Sequence, residues 1–373
     1  MRRPAGSTIL TDQDERKRFG RFSLAGQRVL ITGISRFLGG RLAQRLEQDP
    51  GVDTIIGVDL DEPSVELTRT EFVRADIRNP LIVKVLQATE VDTVVHTAVI
   101  ATPGSVGGRS QMKEINVIGT MQLFAACQKA ESLQKIVMKS TTAVYGSEPT
   151  DPAIFSEDMS PHSQPKTGYA KDAVEVEHYA RAFGRRRTDV TLTILRFANF
   201  IGPMIDTPLT RYFSLPMVPT AMGFDPRIQF LHEQDAIEIL YRSTREEHPG
   251  TFNVSGDGAM YLSKAIRMAG KVSVPVLVPF MGLVASVVRQ TGIVDFAPDQ
   301  IKFLMYGRIA DVDRLKTAFG YTPEFTTEEA FEDFIAKRKL AKIFTHEQAA
   351  QWERDLYEFL SRRGHAVVQP ENA

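Results

Sequence analysis

The stretch Arg28-Val-Leu-Ile-Thr-Gly-Ile-Ser-Arg-Phe-Leu-Gly-Gly40 decides the fold. Residues 29–32 predict a buried strand, and Gly33 opens a tight turn before a helix that begins within 37–40. The N-terminus of such a helix presents unpaired N–H groups and partial positive charge, which suit the diphosphate of a dinucleotide. Gly33 and Gly39 supply the outer glycines of this pattern, and a side chain stands where the middle glycine would be. One incomplete glycine pattern is weak support, so the rest of the chain must decide.

Apolar runs alternate with helical patterns through residue 254. Alternation of this kind predicts an α/β fold, a doubly wound parallel (Rossmann) sheet with helices on both faces. Because both faces are covered, such strands are continuous apolar runs. The predicted strands after the first are 54–58, 72–76, 92–98, 134–140, 190–195 and 251–254. After residue 201 the alternation is interrupted by prolines at positions 203, 208, 216, 219 and 226, which predicts a smaller C-terminal substrate lobe.

The predicted organisation has four parts. Residues 1–25 form a flexible arm, 26–200 the sheet domain with strand 251–254 returning to it, 201–345 mainly the substrate lobe, and 346–373 a C-terminal helix and tail. The lobe contains an uncharged run, 272–288, that is interrupted by prolines. We expect this run to be buried or to line a groove, without an integral membrane segment. Peripheral membrane contact is the alternative.

Composition excludes some classes of partner. Net charge is −1 and apolar content is 43%, so nothing predicts general attraction to nucleic acid or to anionic membranes. The single cysteine, Cys127, lies in an apolar helical run and is expected to be a small buried side chain. No segment resembles a signal peptide, so we expect a cytoplasmic protein. The seven histidines show no metal-ligand spacing, and we predict no metal.

Asp59 ends the second predicted strand. An acid at this place accepts hydrogen bonds from the adenosine ribose and disfavours a 2′-phosphate. We therefore predict NAD as the cofactor. Arg36 could reach a 2′-phosphate, which keeps NADP as the alternative. A turn acid at a strand end is the competing interpretation of Asp59.

Further motifs follow in order along the chain: Thr32-Gly33 to Gly39, Asp76-Ile77, His96-Thr97-Ala98, Asn116-Val-Ile-Gly119-Thr120, Ser140 to Gly146 and Leu195 to Pro203. Together they resemble the extended short-chain dehydrogenase/reductase family, particularly its NAD-dependent epimerase/dehydratase branch that includes UDP-sugar epimerases. The resemblance covers residues 28–255. It implies transient hydride transfer on a nucleotide sugar or a related hydroxyl or carbonyl substrate. It also implies a homodimer built on helices 111–130 and 169–186.

The resemblance implies the residues of the cofactor site. Asp76 and Ile77 correspond to the pair that holds the adenine ring, and Thr97 and Ala98 to the strand end beneath the cofactor. The full set of expected cofactor contacts is Gly33, Arg36, Phe37, Leu38, Gly39, Asp59, Asp76, Ile77, Thr97, Ala98, Asn116, Ser140 and Lys171.

The family's proton chemistry needs a tyrosine base, a lysine four residues later and a serine or threonine that orients the reacting oxygen. Thr141 and Lys171 match the hydroxyl and the lysine. The tyrosine position is Thr167, whose hydroxyl does not ionise appreciably at pH 7, since even tyrosine has a pKa of about 10. Tyr169 is the remaining candidate base. It lies two residues before Lys171, nearly opposite on a helix, and packing is its competing role.

Substrate contacts are expected from Thr141, Asn199 and Arg227. Many family members grip a nucleotide diphosphate with an arginine seven residues before the position of Asp235, and here that residue is Ile228. A one-residue offset in a strand turns a side chain to the other face. The offset weakens the nucleotide-sugar prediction, although Arg227 or Arg211 could substitute.

Two other functions remain open from the sequence. The loss of the tyrosine at Thr167 is typical of a non-catalytic dinucleotide-binding sensor or scaffold. The apolar run 272–288 would suit a reductase or isomerase of a lipid-like or steroid-like substrate.

Overall fold

The computed structural model describes residues 26–101, 107–160, 164–166, 168–290 and 298–338. Its centre is a parallel sheet of seven strands, β1 (Gln27–Thr32), β2 (Val52–Asp59), β3 (Thr70–Arg74), β4 (Thr93–His96), β5 (Lys135–Thr141), β6 (Thr191–Phe197) and β7 (Gly250–Val254). The spatial order is β7-β6-β5-β4-β1-β2-β3. The predicted α/β class with a doubly wound sheet is confirmed. The chain reverses direction across the sheet between β1 and β4, where such folds place their ligands.

Helices cover both faces of the sheet. On one face, α1 (Phe37–Glu47) and α7 (Glu233–Arg245) pack against β1 and β2. The other face carries α2 (Ile82–Thr89), α4 (Thr120–Cys127) and α5 (Gly168–Arg186). Val29, Leu30 and Ile31 of β1 are all fully buried, because this central strand has a core on each side.

The helix predicted over 111–130 is interrupted. It consists of α3 (Arg109–Lys113), a π-helical turn (Glu114–Gly119) and α4. The π turn carries Asn116, whose side chain accepts a hydrogen bond from Ile100 N and donates one to Ile100 O, both at 2.8 Å. The wider turn therefore fixes the chain that leaves β4.

Cys127 ends α4 and is buried, as its apolar surroundings predict. Burial raises the pKa of its thiol to about 12. The thiol is therefore protonated and unreactive at neutral pH.

The smaller lobe follows β6. It contains α6 (Pro208–Ser214), α8 (Leu262–Met268), α9 (Val278–Gln290), α10 (Pro298–Tyr306), α11 (Thr327–Arg338) and short strands. Its core is aromatic: the Phe213 ring meets Phe331 edge to face at 4.9 Å, and Phe331 stacks on Phe230 at 5.5 Å. This core is separate from the two cores that flank the sheet.

The uncharged run of the lobe differs from expectation. It forms a strand (Val272–Val276) and then α9, and Leu277, Phe280 and Leu283 are 53%, 55% and 64% exposed. The prediction that the run is buried is wrong for these three side chains. Among the described side chains of α9, Met281 and Ala285 on its inward side are buried. No described helix is long and apolar enough to cross a membrane.

Three predicted features lie outside the described residues. They are the N-terminal arm, the C-terminal helix and tail, and the position of Thr167.

Candidate functional site

The turn after β1 is built by two glycines in close backbone contact. Gly33 has φ +79°, and a β-carbon there would lie 2.8 Å from the backbone of Ala98. A β-carbon at Gly39 would collide with the carbonyl oxygen of Gly33. Both positions therefore require glycine. Sequence reasoning identified these two glycines, and the structure places Gly33 against the residues that follow β4 and Gly39 against Gly33.

In the extended family's spacing the place of the middle glycine is Arg36, and in the spacing of the single-domain branch it is Phe37. Arg36 precedes α1 with φ −82° and ψ 155°, and its side chain makes no capping hydrogen bond. Phe37, Leu38 and Gly39 are the first residues of α1, and their N–H groups have no acceptor within the helix. The helix begins with partial positive charge and no acidic residue in its first turn, so the turn suits an anion.

Asp59 braces this turn from the end of β2. One carboxylate oxygen accepts hydrogen bonds from Ser35 N at 3.1 Å and Ser35 Oγ at 2.5 Å, and the other accepts from Leu60 N at 2.8 Å. The carboxylate is therefore fixed beside the turn, where a ribose would lie in this fold. The sequence located this acid but not its bond to Ser35.

The predicted adenine-binding residues follow β3, which is the outermost strand on one side of the sheet. Ile77 is buried, and a β-carbon on Gly119 would lie 2.8 Å from its side chain. Asp76 is engaged by Arg78, whose guanidinium donates to it at 2.6 Å and also reaches Glu114 at 3.0 Å. The hydrogen bond from Arg78 lowers the pKa of Asp76, although partial burial opposes this. Arg78, two residues after the acid, was missed by sequence reasoning.

His96 is buried and has a structural role, and it does not act as an acid. Its ring nitrogens lie 2.7 Å from Thr32 Oγ1 and 2.8 Å from Thr120 Oγ1. Burial, helped by the charge of Lys139, lowers its pKa to about 3, so the ring is neutral. Thr97 Oγ1 donates to Thr32 O at 2.8 Å. These bonds hold the ends of β1 and β4 together beneath the turn.

Ser140 and Thr141 end β5 with different surroundings. Ser140 Oγ donates to Glu177 of α5 at 2.6 Å. Thr141 is half-buried, and its hydroxyl accepts from Ala143 N at 3.1 Å, capping the 3-10 turn Thr142–Tyr145. Among the described residues no acceptor is seen for the Thr141 hydroxyl proton, so within this part of the chain it is available to a ligand at the sheet edge.

A buried network supports the end of β5. Arg196 forms two hydrogen bonds with Glu177, at 2.7 and 2.8 Å, and donates to the Tyr145 hydroxyl at 2.7 Å. Tyr145 in turn donates to Asn253 Oδ1 of β7 at 2.8 Å. Burial alone would raise the pKa of Glu177, but its bonds with Arg196 hold that pKa below the ordinary value. Sequence reasoning missed Glu177 and this network.

The start of α5 sets the direction of its functional residues. Arg109 pairs with Asp172 at 2.6 and 2.7 Å and also donates to Gly168 O at 2.8 Å. The helix includes Tyr169, so the later start that would redirect this tyrosine is not observed. The Tyr169 ring packs against the core under α4 and α5. This geometry favours packing, as opposed to proton transfer, for Tyr169.

Lys171 lies on the same helix and is half-exposed. Its ammonium is 3.7 Å from Glu175 Oε1, one turn along α5. An exposed pair at this spacing is weak, so the lysine is free to turn toward a ligand at the edge of the sheet.

The predicted substrate residues are dispersed. Asn199 begins the short strand Asn199–Ile201 and is half-buried. Ile228 lies in the lobe core, and Arg227 points away from it and donates to Ala153 O at 3.3 Å. Arg211 is bound to Asp206 at 2.9 Å. Asp235 accepts from the Tyr321 hydroxyl at 2.6 Å and has a structural role.

Arg308 is a residue that sequence reasoning missed. It extends from the lobe to the 3-10 turn behind Thr141, where it donates to Thr142 Oγ1 at 3.2 Å and to Gly146 O at 2.8 Å. No sequence pattern signals this contact, since Arg308 belongs to none of the motifs.

The class of protein follows from comparison with known families. A model of the NAD-dependent epimerase/dehydratase family matches residues 29–255. The chain belongs to this family, which confirms the resemblance inferred from the motifs.

Individual proteins are also similar to this chain in sequence. Uncharacterised proteins of Mycobacterium tuberculosis and Mycobacterium bovis are 48% identical over 331 residues, covering 87% of this chain and 88% of theirs. A UDP-glucose 4-epimerase of Oryza sativa subsp. japonica is 27% identical over 192 residues, covering 48% of this chain and 50% of that protein.

Solved structures share the fold. A Thermotoga maritima UDP-glucose 4-epimerase with UDP-glucose aligns with a TM-score of 0.65 at 19% identity, over 84% of this chain and 99% of that one. A Bacillus cereus UDP-glucuronic acid 4-epimerase in complex with NAD aligns with a TM-score of 0.63 at 21% identity, over the same shares. Identities this low support the architecture and leave the substrate open.

Proposed function

We propose that this protein binds NAD and uses it for transient hydride transfer on a nucleotide sugar or a related hydroxyl or carbonyl substrate. The observation that carries the proposal is the convergence, at one sheet edge, of the Gly33–Gly39 turn and the Thr141 hydroxyl. The NAD complexes of the neighbouring enzymes support the same cofactor.

The residues present fit the cofactor. The turn leaves no β-carbon at Gly33 or Gly39, and the first N–H groups of α1 can donate to a diphosphate. Asp59 favours NAD over NADP because a fixed carboxylate repels a 2′-phosphate. When bound, NAD supplies the hydride acceptor.

The chain's own residues would orient and polarise the substrate. The Thr141 hydroxyl donates to the reacting oxygen, and the Lys171 ammonium supplies positive charge beside it. Thr167 cannot act as the base, so proton transfer at the substrate hydroxyl is the weak part of this site. The expected turnover is therefore slow.

Two measurements test this proposal, dinucleotide binding and product formation. NADH fluorescence titration should show saturable binding, tighter than for NADPH, and protein denatured after purification should release NAD. Incubation with UDP-glucose and UDP-glucuronic acid should then give product. Thr141→Val should lower the rate about a hundred-fold, and Thr317→Val, at an exposed threonine outside the predicted site, should leave it unchanged. Absence of NADH binding contradicts the proposal.

A second candidate is dinucleotide binding without turnover, as in a redox sensor or scaffold. It is favoured by Thr167 together with the packed ring of Tyr169. NADH binding with no product from any substrate, and no effect of Thr141→Val on cellular function, would support this candidate over the enzyme.

A further inference from the structure

Lys139 is a positive charge inside the sheet edge that no motif predicted. It lies on β5 one residue before Ser140, where Ile136 and Met138 face the core under α4 and α5. Side chains alternate along a strand, so Lys139 shares the opposite face with Val137 and Thr141. This is the face of α1 and the glycine turn.

The ammonium of Lys139 reaches beyond the end of β4. Its Nζ donates to Val99 O at 2.8 Å, one residue after Ala98, whose backbone contacts Gly33. No carboxylate pairs with it among the described residues, and it is half-buried. Burial, followed by the charge of Arg36, lowers its pKa to about 8.

Arg36 is the second cation of this group. It stands immediately before α1, and its backbone N–H donates to Gly33 O at 3.1 Å. Gly33 lies against the backbone of Ala98, the residue before the Val99 carbonyl that Lys139 contacts, so the two cations flank the same turn. The described residues give its guanidinium no ion pair, because Asp59, the acid at the turn, accepts from Ser35 instead. His96 adds no charge, since its ring is neutral.

Two neighbouring cations without a counter-ion are unfavourable unless an anion joins them. The N-terminus of α1 adds positive potential at the same place. A diphosphate ester matches this arrangement, since it carries two negative charges and several acceptor oxygens. Both a dinucleotide and a nucleotide sugar contain one, but the glycine turn beside Arg36 favours the dinucleotide.

We propose that Arg36 and Lys139 form a two-cation site for the diphosphate of the dinucleotide, with side-chain charge replacing the close backbone approach that a middle glycine allows. The inference rests on the proposed function, because it assumes that the dinucleotide binds at this turn. It adds Lys139 to the binding residues and gives Arg36 a defined ligand group.

The experiment separates the diphosphate from the rest of the ligand. ADP-ribose carries the adenosine and the diphosphate without nicotinamide, adenosine lacks the diphosphate, and UDP represents the substrate side. Calorimetric titration of Lys139→Met and of Arg36→Gln should show ADP-ribose affinity reduced about ten-fold or more. Adenosine binding should change less than about two-fold, and Lys139→Arg should retain most of the affinity. Lys84→Met and Arg185→Gln, exposed cations elsewhere, should bind as wild type.

Each outcome decides the matter. Unchanged ADP-ribose affinity in Lys139→Met, with a wild type that binds, overturns the inference and leaves the proposed function standing. A loss confined to UDP binding also overturns it and assigns the cations to the substrate. A wild type that binds neither NADH nor ADP-ribose overturns the proposed function as well. Thermal unfolding of each free variant shows whether it is folded, and the rise in Tm with ADP-ribose gives a second measure of affinity.

Discussion

The two halves of the sheet's carboxyl edge differ in how many of the residues expected for the family they contain. At the β1–β4 half, Gly33, Gly39 and Asp59 form a turn that fits a dinucleotide. At the β5–α5 half, hydrogen bonds run under Thr141 from Ser140 through Glu177 to Arg196. The sequence resemblance implies a tyrosine four residues before Lys171, and that position holds Thr167. A protein can therefore keep the structure around a reacting group after the group itself has changed, because that structure also stabilises the fold.

Removing Arg196 should produce the largest effect and test whether the β5 scaffold is structural. Arg196→Met removes the two hydrogen bonds from Arg196 and leaves the buried Glu177 carboxylate with Ser140 and Arg181 as its remaining partners. Breaking a buried ion pair costs about 3–5 kcal/mol of unfolding free energy. Urea denaturation followed by circular dichroism measures this change. Arg74→Met, which removes an exposed pair with Glu62, should cost less than about 1 kcal/mol. Equal losses in the two variants would show that the network does not support the sheet edge.

Restoring the tyrosine tests the difference between the halves directly. Thr167→Tyr should raise turnover on the best substrate about a hundred-fold, since a positioned acid–base group contributes at least that much. NADH affinity should remain within about two-fold, because the sequence resemblance assigns this position to proton transfer and not to dinucleotide binding. Product formation by chromatography measures the rate, with Thr188→Tyr as the control on an exposed threonine. A rate that does not rise would favour the sensor over the enzyme.

Adding a methyl group to the glycine turn should lower both the stability and the NADH affinity that depend on the β1–β4 half. Gly39→Ala places a β-carbon against the Gly33 carbonyl, which neither backbone can avoid. We expect a loss of about 1–3 kcal/mol in stability, as for other overpacked sites, together with weaker NADH binding. Gly282→Ala is the matched control, because a β-carbon there on α9 would have no other atom within 4 Å; alanine there should be neutral or slightly stabilising. A Gly39→Ala protein that binds NADH like wild type would mean that the turn is not the binding site.

Sequence reasoning located the first half of the edge better than the second. The glycines, Asp59 and the alternating strands are local patterns, and local sequence determines them. The network and the Arg308 contact join residues far apart in the chain; Arg308 and Thr142 are separated by 166 positions. Such pairs depend on packing that no single segment encodes.

Two other differences have simple physical causes. Lys139 was missed because one lysine in an apolar run resembles a strand-end residue, and only the sheet places it on the face of α1 and the glycine turn, where it contacts Val99 O. The run 272–288 was predicted to be buried or to line a groove because it has no charge, yet a helix on the surface of a small lobe exposes one side whatever its composition. The structure thus shows which way these side chains face, whereas the sequence gives only their residue types.

The smallest expected effect is a pH dependence of dinucleotide binding. Lys139 has a lowered pKa of about 8 in the free protein, so it is charged below that pH and neutral above it. A bound diphosphate favours the charged form, which means that binding takes up a proton near pH 8 and weakens as the pH rises. We expect ADP-ribose affinity to fall about ten-fold between pH 7 and pH 9.5.

In contrast to ADP-ribose affinity, the contribution of Lys139 to the stability of the free protein should rise with pH. The unfolded chain binds more protons than the folded one between the lowered pKa and the ordinary value of 10.5, so Lys139 makes stability rise with pH in that window. Other groups titrate there, and the difference between wild type and Lys139→Met isolates this contribution. If the affinity of both proteins changes equally with pH, Lys139 does not face the diphosphate, and the positive charge at the cofactor half belongs to Arg36 and the helix terminus.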